Sequence, residues 1–374
     1  MANAAFLALN RALYAAARPI LFRSSAQRAH EQVIDLLRTL DTRDSAIALL
    51  RAFNRLAFNP QPVTVGGVTL PYPLMLAAGF VKGDGFTSEA EALDAVESGR
   101  NIIPGWRSMP ALVGPVEFGS FTRWPRLGNP GTVMWRHVSD RSTQNRVGLR
   151  NPGARAAAAF LGRHRDQLPD VYGINIAISP GVEVIDQQQQ EVRESLDFFE
   201  AQAIRPAWFT LNLSCPNTED DPGGRQTEAL TRDLCRVVID QLQGQTPLWV
   251  KLSPGLADEQ YTLLRRVLAE TGVRGVIATN TLAQPAPDTP ELAAGIGGGR
   301  LHKCALTATI RLHEGHLPGA EPISPDVIAC GGVLDGATFQ DFVQVGAQAA
   351  QYWSALIYRG PLAAALILNE DSHA

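Results

Sequence analysis

The feature that most constrains the fold of this chain is an alternation of short apolar runs with helix-favouring segments, which begins near residue 62. The apolar runs lie at 74–79, 116–122, 172–178, 208–214, 248–253, 275–280, 326–332 and 350–356. Helix-like segments lie between most of them, at 86–98, 152–167, 227–243, 256–271 and 337–346. Near-continuous apolar strands that alternate with helices indicate a parallel sheet.

The number of repeats predicts the fold class. Eight strand–helix units in the 374-residue chain fit an α/β fold, a closed (β/α)8 TIM barrel. An open doubly wound sheet is the alternative, but the first strand–helix turn lacks the G-x-G-x-x-G pattern that such folds use for dinucleotides. We therefore expect a catalytic barrel over residues 46–374, preceded by a helical unit over residues 1–45.

Two amphipathic helices are predicted before the barrel, at 3–22 and about 26–40, with Pro19 ending the first. The first segment is too polar and too short for a transmembrane span, and it lacks a signal-peptide cleavage site. Four arginines precede the first acidic residue, Glu31. Short basic amphipathic helices suit the surface of an anionic membrane, and a helical cap packed on the barrel is the alternative.

Composition excludes several classes of function. The net charge is −4 and no long basic run is present, so we expect no nucleic-acid partner. The four cysteines are scattered without C-x-x-C spacing. This spacing argues against a disulfide scaffold or a zinc site and indicates a reducing compartment, and we expect no metal.

Polar residues or glycines stand at the end of every predicted strand. Because the carboxyl ends of barrel strands meet on one face, and that face carries the active site in barrel enzymes, we expect these residues to converge. They are Gly79 and Lys82, Gly119 and Ser120, Asn175, then Asn212, Ser214 and Cys215, Lys251, Thr279 to Thr281, Gly331 and Gly332, and Trp353 and Ser354.

Basic residues and glycines in these segments sharpen the prediction. Of 33 basic residues only three are lysines, Lys82, Lys251 and Lys303, and such positions are candidates for a compact ammonium that arginine cannot mimic. Glycines at 295–299 and 331–332 let backbone N–H groups approach a phosphate closely. Without a carboxylate cluster for Mg²⁺, this pattern indicates a phosphorylated cofactor.

The motifs resemble those of the dihydroorotate dehydrogenases, flavin enzymes of pyrimidine synthesis. The matching segments cover nearly all of the barrel: AAGFVK (77–82), GNP (128–130), NRVGL (145–149), GINI (173–176), NLSCPNT (212–218), VKLSP (250–254), ATNT (278–281), CGG (330–332) and YWSALIYRGP (352–361). The segment at 17–32 resembles the helical extension of the membrane-bound, quinone-linked class.

The resemblance implies an enzyme that binds FMN, oxidises dihydroorotate to orotate in UMP biosynthesis and passes electrons to a membrane quinone. It also implies peripheral association with the cytoplasmic face of the cell membrane. Cys215 would be the base that removes the C5 proton while hydride passes from C6 to flavin N5, since a thiol titrates closer to neutrality than a hydroxyl. Lys82 and Lys251 complete the expected catalytic group, with Lys251 near flavin N1 and O2.

The resemblance assigns further residues to each ligand. Amides suit the substrate because its ring edge alternates C=O with N–H. The expected substrate residues are Lys82, Asn145, Leu149, Asn212, Asn217, Asn280 and Thr281. The expected FMN residues are Ala78, Gly79, Lys82, Ser120, Asn175, Asn212, Lys251, Thr279, Gly299, Gly332, Trp353 and Ser354. The expected quinone residues are His30 and Arg136.

The chain also departs from the family pattern. A cysteine base is typical of the soluble class, whereas the N-terminal helices are typical of the quinone-linked class. Val81 stands where an acidic residue is usual, and residues 99–113 look like an insertion. These departures leave open a flavin oxidoreductase that acts on a different pyrimidine or enone or uses a soluble acceptor. A third alternative is a non-catalytic flavin-binding or membrane-docking protein that kept the fold, but such a protein has no physical reason to keep Cys215, Lys82 and Lys251.

Overall fold

The structure, a computed structural model, describes residues 2–214, 227–314 and 324–371. Its strands are β1 (Val63–Val65), β2 (Val68–Leu70), β3 (Leu74–Leu76), β4 (Val116–Phe121), β5 (Met134–His137), β6 (Ser142–Asn145), β7 (Tyr172–Ala177), β8 (Trp208–Asn212), β9 (Leu248–Leu252), β10 (Gly275–Ala278), β11 (Leu282–Pro285), β12 (Ala293–Gly297), β13 (Asp326–Cys330) and β14 (Ala349–Tyr352).

The α-helices alternate with the strands through most of the chain. They are α1 (Ala2–Leu21), α2 (Ala26–Asp41), α3 (Asp44–Ala57), α4 (Glu89–Glu97), α5 (Ser108–Val113), α6 (Ala154–Arg163), α7 (Ile185–Ala201), α8 (Glu228–Leu242), α9 (Asp258–Glu270), α10 (Gly299–His313), α11 (Gly336–Gln344), α12 (Ser354–Arg359) and α13 (Ala363–Asp371).

Eight parallel strands close into a barrel, in the order β3-β4-β7-β8-β9-β10-β13-β14. The first strand closes the ring by pairing with β4 on one side, at Leu76 and Val116, and with β14 on the other. Helices surround the barrel, so most strand residues are buried. The prediction of a (β/α)8 barrel is confirmed, with each of the eight apolar runs supplying one strand.

The predicted apolar runs extend beyond the observed strands at their carboxyl ends. The run predicted at 350–356 illustrates the cause, because β14 ends at Tyr352 and Ser354 already begins α12. A buried helix start and a buried strand end are both apolar, so hydrophobicity alone does not separate them. The five predicted helical segments are confirmed within three residues at their starts and four at their ends.

The N-terminal segment contains the two predicted helices and one that was not predicted. Pro19 does not end the first helix, which continues to Leu21, because a proline so near the carboxyl end removes only one helical N–H bond. The Ser25 side chain accepts from Arg28 N (3.2 Å) and caps α2. The unpredicted α3 follows at once, and the division at residue 45 stays a prediction.

The unusual segment 99–113 packs against the N-terminal helices and carries α5. The Asp41 carboxylate, at the end of α2, accepts from the backbone N–H groups of Gly105 (2.7 Å) and Ser108 (2.8 Å). From α3, Asn54 Nδ2 donates to Leu112 O (3.0 Å). These bonds join α2 and α3 to the barrel through α5.

Two smaller sheets cover the ends of the barrel. The antiparallel sheet β11-β12-β6-β5 lies beside the carboxyl ends of the strands, where Gly295 pairs with Asn145. The β1–β2 hairpin covers the opposite end, where Trp249 Nε1 donates to Gly66 O (3.0 Å) and the ring of Trp249 stacks on Trp208. The hairpin end is therefore closed by packing. Among the described residues, no helix is long and apolar enough to cross a membrane.

Candidate active site

A cavity of about 630 Å³ begins at the carboxyl ends of the barrel strands and continues between α1, α2 and α5. We call its barrel part the mouth and its other part, lined by Leu21, Val33, Leu36, Leu37, Leu40, Met109 and Leu112, the apolar arm. The predicted residues that line the cavity are Ala78, Gly79, Lys82, Ser120, Asn145, Leu149, Asn212, Lys251, Thr279, Asn280, Thr281, Gly332, Trp353 and Ser354, with His30 and Arg136.

Two predicted residues lie away from the lining of the cavity, and two others lie outside the described residues. Asn175 is buried beneath the mouth, where its Nδ2 donates to Glu117 Oε1 (2.7 Å). Gly299 begins α10 outside the lining of the cavity. Cys215 and Asn217 lie outside the described residues. Their roles stay predictions.

Lys251 is the buried cation of the mouth. It lies on β9, and its Nζ donates to Gln351 Oε1 (3.1 Å) on β14 and contacts Cys330 Sγ at 3.5 Å on β13. Burial raises the pKa of the Cys330 thiol, and the charge of Lys251 opposes that rise. The mouth therefore presents a fixed positive charge beside a thiol held toward its neutral form.

Amides form the other side of the mouth. Asn212 Nδ2 donates to Ser120 Oγ (3.2 Å), and Asn212 Oδ1 accepts from Ser214 Oγ (2.9 Å). Asn280 Nδ2 donates in turn to Ser214 Oγ (3.1 Å). The serine hydroxyls therefore hold two amides from different strands in one connected network, an arrangement that suits recognition of a polar ring edge.

The loop that carries Lys82 is held by an ion pair cluster. Asp84, only two residues further on, is buried and pairs with Arg38 of α2 (3.0 Å) and with Arg100 of the 99–113 segment (2.8 Å). Lys82 itself is partly buried and lines the mouth. The position of this lysine is thus linked to the helices that form the apolar arm.

Glycines provide room for a phosphate at one side of the mouth. Gly298 and Gly332 have φ near +80°, and a Cβ on Gly332 would meet the Gly298 carbonyl at 2.9 Å and the α10 residue His302. Nearby, Ser354 Oγ lies 2.7 Å from Thr143 Oγ1. The glycines leave space at the start of α10 for a ligand to approach the backbone N–H groups, and two hydroxyls lie beside this space. Such a site suits a phosphate group.

His30 and Arg136 lie where the mouth meets the apolar arm. Burial lowers the pKa of His30 to about 4, and the nearby charges of Lys82 and Arg150 add to the effect. Arg136 donates to the Ser24 carbonyl and lies over the ring of Phe22, 4.3 Å from its centroid. The imidazole is therefore neutral at pH 7, and Arg136 joins the mouth to the α1–α2 connection.

Sequence reasoning missed several residues of the site. Met109 and Leu112 belong to the unusual segment, and no motif marked them as cavity lining. Glu117 and Gln351 lie in apolar strands whose neighbours suggest only packing. The one available signal was the presence of a glutamate in the run VEFGSF, where a charge without a partner would be costly to bury.

The mouth and its phosphate-sized glycine cradle define a class, the barrel enzymes that can hold a phosphorylated cofactor. Comparison with known families is more specific, because the dihydroorotate dehydrogenase family model matches residues 62–373. The chain belongs to the dihydroorotate dehydrogenase family, and its relatives place it with the quinone class.

Curated relatives match nearly the whole chain. The dihydroorotate dehydrogenase (quinone) of Chromobacterium violaceum is 32% identical over 361 residues, covering 93% of this chain and 94% of the relative. That of Stenotrophomonas maltophilia is 31% identical, with 93% of both chains covered.

A solved structure shares the fold. The crystal structure of DHODH from Eimeria tenella in complex with ferulenol superposes with a TM-score of 0.69 at 23% identity, over 94% of this chain and 93% of that one. At this identity the likeness supports the fold alone.

Proposed function

We propose that this protein oxidises dihydroorotate to orotate at FMN in de novo pyrimidine synthesis and passes the electrons to a quinone. One observation carries the proposal: a single cavity joins a mouth of lysines and amides to an apolar arm between the N-terminal helices. A substrate with alternating C=O and N–H groups suits the mouth, and an isoprenoid quinone suits the arm.

The residues present fit FMN. The glycines at 297–298 and 331–332 would hold its phosphate together with Ser354, and Lys251 would place a positive charge beside its ring. Bound FMN supplies two-electron redox chemistry that no side chain of this mouth can supply. Gly299, at the start of α10, would lie at the rim of the phosphate site. Asn175 would lie beneath the flavin ring.

The polar side chains would bind and orient the substrate. Asn145, Asn212 and Asn280 would read its ring edge, with Asn217, Thr281 and Leu149 completing the frame, and Lys82 would bind its carboxylate. Cys215 would take the C5 proton as a general base. The amides would lower the reaction barrier by holding the substrate in a fixed orientation, so that the reacting groups are already aligned.

The apolar arm would receive the quinone. Three of its lining residues, Leu21, Val33 and Leu36, are also exposed large apolar residues, so the arm opens to the surface between α1 and α2. Because His30 is neutral at pH 7, it adds no charge to this apolar space.

Peripheral association with the cytoplasmic face of the cell membrane belongs to the same proposal. Leu9, Leu13 and Ile20 are exposed apolar residues on α1, the helix whose last residue, Leu21, lines the arm. Clustered exposed apolar residues on basic amphipathic helices favour a lipid surface. A lipid-soluble acceptor would thus enter the arm from the bilayer.

Anaerobic spectroscopy of the purified protein tests the proposal. We expect one FMN per chain and loss of the flavin absorbance band on addition of dihydroorotate. Bound FMN that stays oxidised with dihydroorotate, yet loses its absorbance with another pyrimidine or an enone, would assign a different substrate. A protein that contains no flavin would refute the proposal.

A further inference from the structure

A fully buried carboxylate lies inside the barrel beneath the mouth, and the proposed reaction does not use it. Glu117 on β4 is 0% exposed. Within the described part of the chain, four side chains donate to it: Asn175 Nδ2 (2.7 Å), Thr210 Oγ1 (2.8 Å), Trp208 Nε1 (3.0 Å) and Gln351 Nε2 (3.0 Å). The indole of tryptophan can only donate, so the Glu117 oxygen beside it must accept. Four donors around two oxygens match an ionised carboxylate.

This carboxylate determines which way the Gln351 amide points. A glutamine amide has a donor end and an acceptor end, and a half-turn exchanges them. With its Nε2 donating to Glu117, Gln351 must present Oε1 on its other side, and there Oε1 accepts from Lys251 Nζ at 3.1 Å. The reverse orientation would place oxygen against carboxylate and N–H against ammonium. Glu117 therefore selects the orientation that offers Lys251 an acceptor.

Glu117 directs a second amide in the same way. Asn175 Nδ2 donates to Glu117, which turns Oδ1 away from the carboxylate. That oxygen is buried and has no hydrogen-bond partner among the described residues. An unpaired buried acceptor costs free energy, so the orientation that Glu117 imposes on Asn175 is kept in spite of that cost.

We propose that Glu117 is a positioning residue that acts through Gln351 to hold the Lys251 ammonium against bound FMN. The inference rests on the proposed function, which places FMN in the mouth. A charge held in place by a directional chain of hydrogen bonds stabilises negative charge on a reduced ring better than a mobile one, because little reorganisation is needed. The chain Glu117–Gln351–Lys251 should therefore raise both the affinity for FMN and its midpoint potential.

The Gln351→Met variant tests the link without changing the charge of Glu117. Methionine has a similar length and no hydrogen-bonding amide, so Lys251 loses its acceptor. We expect FMN affinity to fall by about tenfold, the effect of a hydrogen bond to a charged group, and the midpoint potential of bound FMN to become more negative. Both quantities are measured without dihydroorotate.

A double-mutant cycle tests whether Glu117 acts through Gln351. In Glu117→Gln, the new amide can donate to Gln351 and allow it to turn, so FMN affinity should fall here as well. Adding Gln351→Met to this variant should change the affinity by less than about twofold, because the link is already lost. Thr210→Val is the matched control. It removes one donor from Glu117 and should lower thermal stability while leaving FMN affinity and potential as in the wild type.

Unchanged affinity and potential in Gln351→Met would overturn the inference while leaving the proposed function intact. Additive losses of affinity in the cycle would show two independent structural roles and would overturn it too. Should Glu117→Gln fail to fold, Gln351→Met still decides whether the amide oriented by Glu117 holds Lys251, since this variant retains the carboxylate. Absence of FMN from the wild-type protein would refute both the proposed function and this inference.

Discussion

At the scale of single residues, the three lysines of the chain separate clearly. Lys82 and Lys251 line the cavity, whereas Lys303 is exposed on α10. Of the 33 basic residues only three are lysines, and two of these three lie in the mouth, so the rarity of lysine correctly pointed to the site. The physical reason is that a compact ammonium fits between strands where a planar guanidinium would need more space and more acceptors.

Replacing the proposed base should slow one step without removing the cofactor. In Cys215→Ser, the hydroxyl is a much weaker acid than the thiol, so at pH 7 we expect flavin reduction by dihydroorotate to slow by about a hundredfold or more. Stopped-flow absorbance measures this step. Cys304→Ser, a partly buried cysteine outside the cavity lining, is the control and should reduce at the wild-type rate. Wild-type reduction in Cys215→Ser would exclude Cys215 as the base.

His30 should make folding stability depend on pH. Its pKa is about 4 when folded, below the unfolded value of 6.5, so the unfolded state takes up the proton first as pH falls. Stability is therefore lost between pH 6.5 and 4, and about 2 kcal/mol should disappear between pH 7 and pH 5. Urea unfolding at both pH values measures the loss. The His30→Gln variant should lose about 2 kcal/mol less over the same range, and equal losses would contradict the assignment.

At the scale of elements, the sequence predicts the barrel well and its interior poorly. Eight apolar runs identify eight strands because burial on both faces leaves few polar residues in a parallel sheet. Because both faces of each strand are buried, the sequence does not show which residues point into the barrel and which face the helices. Glu117 and Gln351 therefore look like ordinary strand residues until pairing with Thr210 and Lys251 appears in three dimensions.

In the N-terminal region, too, the sequence predicts the elements but not the contacts between them. The sequence predicts α1 and α2 from their amphipathic pattern but not how they are attached. The structure attaches them through Asp41, whose carboxylate binds backbone N–H groups before and at the start of α5. Such long-range contacts leave no local pattern, so a segment that looked like an insertion is part of the cavity wall.

A test at this scale concerns α5. Met109 is buried and lines the apolar arm, so Met109→Ala should leave a void there and raise the KM for a long-chain quinone by about threefold to tenfold, through lost contact with the isoprenoid. Flavin reduction by dihydroorotate should stay unchanged. Leu264→Ala on α9 removes an equally buried side chain away from the cavity, so it should lower stability without changing the quinone KM. A wild-type quinone KM in Met109→Ala would remove α5 from the acceptor path.

At the scale of the whole molecule, two chemically different ends meet in one cavity. The mouth carries lysines and amides, and the apolar arm opens between α1 and α2 beside exposed apolar side chains. Under the proposed function, this arrangement would let a polar substrate enter from water and a lipid-soluble acceptor enter from a bilayer by separate routes. The two half-reactions would then take place at different positions along one cavity.

Membrane association should depend on the exposed face of α1. Leu13 and Ile20 are 61% and 65% exposed, so Leu13→Glu with Ile20→Glu should reduce binding to anionic vesicles by at least about tenfold, since two apolar side chains no longer enter the lipid. Cosedimentation measures the binding. Leu127→Glu, at a residue 59% exposed outside the N-terminal helices, should bind as the wild type does. Equal binding of both variants would contradict a membrane surface on α1.

The most direct test of the account is a sequential-mixing experiment on the anaerobic holoenzyme. Dihydroorotate is added first to reduce the flavin, and a long-chain quinone, fumarate or NAD⁺ is mixed in second while the flavin band is followed. The account predicts that the band returns rapidly with quinone and slowly, or not at all, with the two soluble acceptors. Rapid return with fumarate or NAD⁺ but not with quinone would contradict the coupling of mouth and apolar arm.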